Sequence, residues 1–339
     1  MFSPERAHGI AIAALKSGLL PAGPKYTSDR LSQSLWGLEF PNPIGLAAGF
    51  DKNAEVYEPM LRQGFGFVET GTVTPLPQPG NDKPRIFRLV EDEAVINRLG
   101  FNNRGLEFYI SELKKRSRKS GIVGANVGAN KLSDDPINDY VIGLEKVLGL
   151  ADYFTINISS PNTPGLRKLQ GREALDELLS KLKKVRDHAK LEQKPPLILK
   201  IAPDLDNGEC EDIAEIILKH EIDGLIVSNT TLTRDGLTSH SKDESGGLSG
   251  KPLFDISTKI LSKMYKLTQG RIPLIGVGGI ANGEHAYAKI RAGASLVQLY
   301  SSLIYHGPAL AVQVAKDLDV LLKKDGFSNV TEAIGIDHK

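Results

Sequence analysis

Eight short runs rich in β-branched residues recur along the chain, and helical patterns lie between them. Strands that alternate with helices form parallel sheets, and eight such strands close a (β/α)8 barrel. A doubly wound open sheet is the competing fold. The predicted strands are 43–47, 66–69, 122–126, 153–158, 197–201, 224–228, 274–277 and 295–299.

A small polar or glycine-rich cluster ends each predicted strand. In a barrel the carboxyl ends of all strands ring one mouth, whereas an open sheet gathers its ligand groups at a switch point. Any one cluster can be explained as a turn, because turns require Gly, Asn and Ser. Eight clusters, each at the end of a predicted strand, favour an α/β TIM barrel with one site at its mouth. The clusters are AAGFDK, TGT, NVGANK, NISSPN, KIAPD, SNTT, GVGGI and YSS.

The composition fits a globular protein that acts on a small molecule. Of 339 residues, 40% are hydrophobic, which is enough to bury a core. The 42 basic and 41 acidic residues nearly cancel, so no net field would attract nucleic acid. The single cysteine, Cys210, excludes an intramolecular disulfide and shares an apolar helical face with Ile213 and Ile217. The histidines show no ligand spacing, so we predict no metal site.

The N-terminal residues predict a helix that begins at Pro4, with Ser3 as its cap, and ends before Pro21. Packing against the core is the usual explanation of its apolar stripe, and contact with a membrane or with a lipid-like substrate is the alternative. We expect no membrane span and no secretory signal. The stripe consists of Ala7, Ile10, Ala11, Ala14 and Leu15.

Glycine-rich loops predict a phosphate site. GVGGI at 276–280 and the Tyr300–Ser301 pair follow the seventh and eighth predicted strands, where barrels commonly bind phosphate through backbone N–H groups. GVGGI alone fits a tight turn equally well, and GGLSG at 246–250 favours the phosphate site.

Lys52 and Lys200 lie at or near the mouth ends of predicted strands. Lys200 interrupts the apolar run PLILKIAP, where exposure is not expected, so it requires an anionic or electron-accepting partner. It could donate to a reduced flavin, hold a carboxylate, or form a Schiff base as a neutral amine.

Nine segments of the chain carry a resemblance to a known family. They are GLAAGFDK, GTVTPLPQPGNDKPRIFRL, INRLGFNN, NISSPNTPGLR, KIAPDL, SNTT, GGLSGKPL, IGVGGI and AGASLVQLYS. Together they resemble the dihydroorotate dehydrogenases of the membrane-associated, quinone-using class (class 2), and the resemblance runs from about Pro4 to the C-terminal region. It implies a flavin mononucleotide (FMN) enzyme that oxidises (S)-dihydroorotate to orotate in pyrimidine biosynthesis and passes the electrons to a quinone.

The resemblance also implies roles for single residues, with Ser160 as the catalytic base. FMN would be held by Ala48, Gly49, Lys52, Thr72, Asn126, Asn157, Lys200, Ser228, Gly250, Gly279, Tyr300 and Ser301. The substrate would contact Lys52, Asn97, Arg98, Leu99, Gly100, Phe101, Asn157, Asn162, Asn229 and Thr230.

The corner NISSPN can then be explained chemically. Dihydroorotate alternates N–H and C=O groups around its ring, and asparagine offers both a donor and an acceptor. Ser160 can remove a proton only if its own proton leaves along a hydrogen-bonded path, for which Thr163 or a water is the candidate. Ser159 is interpreted as a turn residue.

The electron acceptor follows from the base. Soluble members of the family use a cysteine, and this chain has none near the corner, so serine and the N-terminal helix indicate a quinone. His8 and Arg88 are candidates for the quinone entrance, although Arg88 also fits a solvated strand of a hairpin at 85–97. Residues 164–173 are a candidate mobile loop, with Gly165 and Gly171 as hinges.

We predict an N-terminal helical segment at 1–30, for quinone entrance and membrane contact, and the FMN-binding barrel at 31–339. The expected location is the cytoplasmic side of a bacterial inner membrane, bound peripherally, or the mitochondrial inner membrane if the chain is a truncated eukaryotic form. No nucleic acid and no obligate protein partner are expected. A non-redox lyase using Lys200, or a barrel that only binds flavin, remains the alternative.

Overall fold

A computed structural model describes residues 2–117 and 120–339 and contains an eight-stranded barrel with three additions. The described strands are β1 (Gln33–Leu35), β2 (Leu38–Phe40), β3 (Ile44–Leu46), β4 (Phe67–Val73), β5 (Ile86–Leu89), β6 (Ala94–Asn97), β7 (Ile122–Val127), β8 (Tyr153–Asn157), β9 (Leu197–Ile201), β10 (Gly224–Val227), β11 (Gly247–Gly250), β12 (Leu274–Val277) and β13 (Ala294–Leu299). The described α-helices are α1 (Pro4–Lys16), α2 (Tyr57–Leu61), α3 (Gly105–Leu113), α4 (Pro136–Val147), α5 (Arg172–His188), α6 (Asn207–Lys219), α7 (Leu253–Thr268), α8 (Gly283–Arg291), α9 (Leu303–His306) and α10 (Leu310–Lys324).

The predicted parallel barrel is confirmed. Its strands follow chain order around the closed sheet, β3-β4-β7-β8-β9-β10-β12-β13, and every neighbouring pair is parallel. The register places Gly71 beside Asn126 and Asn157 beside Lys200, so predicted site residues share one level of the barrel. Because all eight carboxyl ends face the same way, the polar clusters meet at one mouth.

A hairpin that the sequence did not predict covers the opposite end of the barrel. Strands β1 and β2 pair antiparallel, and the Trp36 indole donates to the Asp223 carbonyl, 2.8 Å away, just before β10. Rings then contact edge to face from Trp36 through Phe40 and Phe67 to Tyr153, with centroids 5.4–6.4 Å apart. We call this packed layer the aromatic floor. The last three rings are fully buried, so the floor closes the barrel.

The predicted hairpin at 85–97 is confirmed and gains a third strand. Strands β5 and β6 pair antiparallel, and β11 adds to the free edge of β6. The sequence analysis treated GGLSG only as part of a phosphate site, because a four-residue strand with two glycines has little strand propensity of its own. Its pairing with β6 joins two distant loops at the mouth.

Helix α1 begins at Pro4 as predicted but ends at Lys16, before Pro21, because Gly18 takes a left-handed conformation (φ +71°). Ser3 makes no side-chain cap hydrogen bond. The core-packing interpretation of the apolar stripe is wrong for most of it. Leu15 is buried, but Ile10 is 46% exposed, and Ala7 and Ala11 line the central cavity. No helix in the described ranges is long and apolar enough to cross a membrane.

Cys210 has the predicted structural role. It lies in α6 and is fully buried with Ile213 and Ile217, and burial raises the pKa of its thiol. The remaining helices pack outside the barrel strands and form the largest apolar cluster with them, while the aromatic floor and the hairpin strands have smaller clusters of their own.

Candidate active site

A cavity of about 390 Å³ lies at the barrel mouth. Helix α1, strands β5 and β6 and the loops after the barrel strands line it together. Nearly all of the predicted site residues therefore meet in one place. They are Ala48, Gly49, Lys52, Thr72, Asn97, Leu99, Gly100, Phe101, Asn157, Ser160, Asn162, Lys200, Ser228, Asn229, Thr230, Gly250, Gly279, Tyr300 and Ser301, with the entrance candidates His8 and Arg88.

Two of the predicted residues do not line the cavity. The Arg98 guanidinium pairs with Glu244 at 2.7 Å and lies over the Phe87 ring, so its side chain faces away from the other substrate candidates. Asn126 is fully buried one layer deeper, where its amide oxygen accepts a hydrogen bond from Thr72 at 2.6 Å. Asn126 therefore orients a residue that lines the cavity.

The layer below the cavity is organised by Glu69, which the sequence analysis did not identify. Its carboxylate is fully buried and accepts hydrogen bonds from four neighbours on β7, β8 and β13. The donors are Asn126 (2.7 Å), Gln298 (2.9 Å), Tyr153 (3.1 Å) and Thr155 (3.2 Å). A buried carboxylate needs such a set of donors, so Glu69 fixes the side chains that support the site. The signal available in the sequence was a lone charge inside the apolar run GFGFVETG.

The asparagine corner is a connected network. The Asn157 amide donates to Thr72 Oγ1 at 2.8 Å, and its oxygen accepts from the Ser159 hydroxyl at 2.9 Å. Asn229 in turn donates to Ser159 Oγ at 2.9 Å. Ser159 thus links two predicted ligand residues, which is more than the turn role predicted for it.

The corner is also tied to the hairpin. The Asn162 amide donates to the Asn97 carbonyl at 3.0 Å, and Asn81 donates to the carbonyls of both Asn162 (3.3 Å) and Arg98 (3.0 Å). These bonds hold the two predicted substrate segments, around Asn97 and around Asn162, side by side at the same cavity.

Ser160 is 5% exposed, and that small exposed area faces the cavity. Its oxygen accepts a hydrogen bond from the backbone N–H of Asn162 at 3.2 Å, which leaves the hydroxyl proton free to point elsewhere. Three residues on, the buried Thr163 hydroxyl has no hydrogen-bond partner within the described ranges. An unpaired buried hydroxyl next to a candidate base fits a proton path better than a packing role.

Both predicted lysines face the cavity. Burial lowers the pKa of Lys200, and the nearby Glu69 carboxylate partly offsets this effect. Burial lowers the pKa of Lys52 to about 8, with a further contribution from the positive charge of Arg85. Gln298, which also lines the cavity, has a buried Oε1 without a partner in the part of the chain that is described. These groups suit a polar, electron-rich ligand held deep in the mouth.

The glycine loops approach the cavity as predicted. Gly278 (φ +112°) and Gly279 (φ +75°) follow β12, and a Cβ on Gly279 would lie 2.7 Å from the Phe254 backbone nitrogen. Gly250 ends β11, and Ser301 donates to Ser249 on that strand at 2.7 Å. Only glycine fits these turns, and their backbone can approach an anion closely. We call the turns at Gly250 and Gly278–Gly279, with Ser301, the glycine cradle.

The opening of the cavity is apolar. His8 contacts Phe50 edge to face, and Phe50 contacts Tyr300 in the same way, with centroids 5.2 and 5.8 Å apart. Burial, and secondarily the Lys52 charge, lower the pKa of His8 to about 4, so this imidazole is neutral at physiological pH. The half-buried Arg88 lines the same opening, and its Nε–H has no hydrogen-bond partner among the described residues. Arg88 is therefore a cavity residue and is not a solvated strand residue.

The candidate mobile loop contains a short 3-10 helix, Leu166–Gln170. Gly165 is left-handed (φ +76°), whereas Gly171 has an ordinary extended conformation, so only the first hinge requires glycine. Arg167, another residue that the sequence analysis passed over, donates to the Ser159 carbonyl (3.1 Å) and the Thr230 carbonyl (3.2 Å). Arg167 therefore connects the loop to the network.

In residues 2–117 and 120–339, no group of three or more His, Cys, Asp or Glu side chains could hold a metal ion.

The family model described as dihydroorotate dehydrogenase matches residues 30–322. The chain is 54% identical over 342 residues to the dihydroorotate dehydrogenase (quinone) of Azorhizobium caulinodans, covering 99% of this chain and 96% of the relative. It is 55% identical over 335 residues to the Rhizobium rhizogenes protein of the same name, covering 98% and 92%. Its fold is similar to a crystal structure of DHODH in complex with ferulenol from Eimeria tenella, with a TM-score of 0.96, 44% identity and coverage of 99% and 96%.

Proposed function

The chain belongs to the quinone-dependent class of the dihydroorotate dehydrogenase family, and from this premise we propose how its residues divide the reaction. It is a flavin-dependent oxidoreductase that oxidises dihydroorotate in pyrimidine biosynthesis, with a quinone as acceptor. This membership excludes the non-redox lyase that Lys200 alone left open. The observation that carries our assignment is the single cavity joining the asparagine corner, the glycine cradle and the N-terminal helix.

We assign the flavin as FMN, because the glycine cradle offers backbone N–H groups suited to a phosphate. Lys200, Thr72 and Asn157 would hold the ring, with Asn126 orienting the last two through their hydrogen bonds. When bound, the flavin supplies a hydride acceptor. The other residues of the proposed cofactor site are Ala48, Gly49, Lys52, Ser228, Gly250, Gly279, Tyr300 and Ser301.

Dihydroorotate would lie between the asparagine corner and the hairpin. Lys52 carries a positive charge that suits the substrate carboxylate. The side chains of Asn97, Asn162 and Asn229, with that of Asn157, can read the N–H and C=O groups of the ring. Leu99, Gly100, Phe101 and Thr230 would complete the pocket, and Arg98 would contribute only through its backbone.

Ser160 would remove the proton from the carbon next to the substrate carbonyl. Its oxygen accepts from the Asn162 backbone N–H, a donor that can stabilise developing negative charge on that oxygen. The unpaired Thr163 hydroxyl is our candidate for receiving the serine proton. No histidine lines this part of the cavity in the described ranges, so the proton would leave through hydroxyl groups.

The quinone would enter between α1 and the hairpin, past the neutral His8 and Arg88. We propose that residues 1–30 form this entrance and that 31–339 form the catalytic barrel. Exposed apolar side chains surround α1, at Phe2, Ile10, Leu19 and Leu20, and they suit peripheral contact with a lipid surface. The cytoplasmic face of a bacterial inner membrane is the proposed location.

The test is the visible spectrum of the purified protein under anaerobic conditions. We expect a flavin band that bleaches on addition of dihydroorotate and returns on addition of a short-chain quinone. Release of the cofactor by heat, followed by chromatography, should give FMN. A spectrum that dihydroorotate leaves unchanged would contradict the assignment.

A further inference from the structure

Lys289 is a fully buried lysine that has no place in the reaction described above. It lies on α8, and its ammonium donates to the Ser257 hydroxyl at 2.8 Å and the Thr258 hydroxyl at 3.0 Å. The ammonium also lies 5.1 Å from the centroid of the Phe254 ring. Neither hydroxyl carries a charge, and a buried cation without a counter-charge is costly.

The ammonium lies directly behind the glycine cradle. Ser257 Oγ is 3.1 Å from the Gly278 carbonyl, and a Cβ on Gly278 would lie only 2.8 Å from the same hydroxyl. The Cβ, Cα and backbone nitrogen of Phe254 fill the space behind Gly279. One layer of hydroxyl groups and backbone therefore separates Lys289 from the turn that faces the cavity.

The charged groups around Lys289 do not neutralise it. From α7, Asp255 acts on the ammonium electrostatically but makes no ion pair with it within 4.0 Å among the described residues. From α8 itself, His285 stacks on Phe254 at 4.3 Å, and burial lowers the pKa of that imidazole, so it is neutral at physiological pH. The position where a strong negative charge would balance Lys289 is the cradle.

We propose that Lys289 is a positioning and specificity-determining residue, whose ammonium favours a phosphate monoester in the glycine cradle and so selects phosphorylated flavin over riboflavin. This inference rests on the proposed function. The backbone N–H groups of the cradle are uncharged donors, and Lys289 would supply the positive charge that they lack. Lys289 and Ser257 are both fully buried, so the field of the ammonium acts through the protein interior, where electrostatic interactions are screened weakly.

The inference has a consequence for pH. Burial lowers the pKa of Lys289 to about 7, and a phosphate dianion nearby would raise it. Binding FMN above neutral pH should therefore take up a proton at this lysine. Lys52, with a pKa of about 8, faces the flavin ring region and would respond to both flavins alike. The difference between FMN and riboflavin cancels the response of Lys52. His285 stacks on Phe254 beside Gly279 and would also sense the phosphate, but the lowered pKa of His285 keeps that response small at pH 8.

The experiment compares the affinities of the full-length, flavin-depleted chain for FMN and riboflavin, measured by flavin fluorescence at pH 7.5. In the Lys289→Met variant we expect FMN affinity to fall by about tenfold or more and riboflavin affinity to change less than about twofold. Lys259→Met is the matched control, since Lys259 is an exposed lysine on α7 next to Thr258. That variant should keep the wild-type preference.

The possible results distinguish the role of Lys289 from the existence of the FMN phosphate site. A wild-type protein that prefers FMN, with a Lys289→Met variant that keeps the preference or loses both flavins equally, would overturn the role of Lys289 and leave the FMN site standing. Equal wild-type affinity for FMN and riboflavin would overturn the phosphate site as well.

A second measurement covers the case in which the variant does not fold. Calorimetry of the wild-type chain at pH 8, in buffers of different ionisation enthalpy, gives the protons taken up on binding. We expect greater uptake with FMN than with riboflavin, approaching one proton. Equal uptake would overturn the proposal.

Discussion

At the residue scale, the cavity is supported by side chains arranged in layers. The residues that line the mouth are held by a second layer, in which Asn126 orients Thr72 and Asn157. Glu69 holds that layer from below. Asn126, Asn157 and Glu69 each accept from a named donor, which restricts each of these side chains to one orientation. Such positioning matters because small displacements of reacting groups reduce rates strongly.

Replacement of Ser160 by alanine should remove the base and leave the rest of the network intact. We expect flavin reduction by dihydroorotate to slow by about 10²- to 10⁴-fold, because proton removal loses its acceptor. Stopped-flow bleaching of the flavin band measures this step. Reoxidation by quinone is the internal control and should keep its rate. A similar loss in both steps would argue against a role as base.

Replacement of Glu69 by glutamine should cost stability, because an amide NH2 would face donors that now bond to a carboxylate oxygen. Leaving one such buried donor unpaired costs about 1–3 kcal/mol. Denaturant titration followed by circular dichroism should show a lower free energy of unfolding by that amount. The matched variant Glu91→Gln removes an exposed carboxylate and should unfold close to the wild type. Unchanged stability in Glu69→Gln would contradict the supporting role.

At the element scale, two segments join the barrel through a few polar contacts. Helix α1 is tied to the hairpin by Glu5 and Arg85, whose side chains pair at 2.6 Å, and to the loop after β3 by Lys16 and Glu55, also at 2.6 Å. The loop at 164–173 is tied to the corner by Arg167. Elements held by few contacts open at lower free energy than core strands do.

Replacement of Glu5 by glutamine should loosen α1. We expect KM for quinone to rise more than KM for dihydroorotate, since the helix lines the side of the cavity where we propose that the quinone enters. Steady-state kinetics with each substrate varied in turn measures the two constants. Equal changes in both would contradict a local role.

The same pair predicts a pH effect. The Arg85 guanidinium holds the pKa of the Glu5 carboxyl below its usual value. Because this pKa is lowered in the folded protein, the Glu5–Arg85 pair stabilises the position of α1 fully at pH values above the usual pKa of a glutamate. This stabilisation is lost as the pH falls through the pKa of Glu5 in the folded protein. KM for quinone should therefore rise on acidification in the wild type, and Glu5→Gln should show a smaller rise. An equal rise of KM for quinone in the wild type and in Glu5→Gln would exclude Glu5 as the cause of the pH dependence.

The loop at 164–173 should exchange its amide hydrogens faster than the barrel strands do in the ligand-free enzyme. Binding of orotate should slow this exchange, because the loop lies over the asparagine corner that the ligand contacts. Mass spectrometry of peptides from 164–173 and from β8 gives the comparison. Equal protection of both segments without ligand would remove the mobile-loop hypothesis.

At the scale of the whole molecule, much of the fold could be predicted, because the eight barrel strands are recognisable in the sequence as apolar runs with polar ends. Residues such as Ser160 and Lys200 were found because they stand in recognisable motifs. The role of Glu69 was not predicted, because its four hydrogen-bond donors lie on three other strands that are distant in sequence. The hairpin of β1 and β2 and the strand β11 were not predicted for a related reason. Such short strands form because of their tertiary pairing more than because of their own strand propensity.

The exposed apolar residues around α1 predict binding to lipid vesicles. Because burial of each large apolar side chain contributes about 1.5–3 kcal/mol, replacing Leu19 and Leu20 by serine should weaken sedimentation with vesicles clearly. Replacing Val320, an exposed apolar residue on α10, by serine is the control and should leave binding unchanged. Equal binding by all three proteins would contradict membrane contact through this face.

The aromatic floor has a further consequence, for the fate of electrons. Phe67 and Tyr153 are fully buried beneath the site, so the aromatic floor separates the cavity from solvent at the opposite end of the barrel. If the quinone enters where we propose, oxygen would reach the reduced flavin through the same opening. The two acceptors would then compete there, and a bound quinone would limit the formation of peroxide.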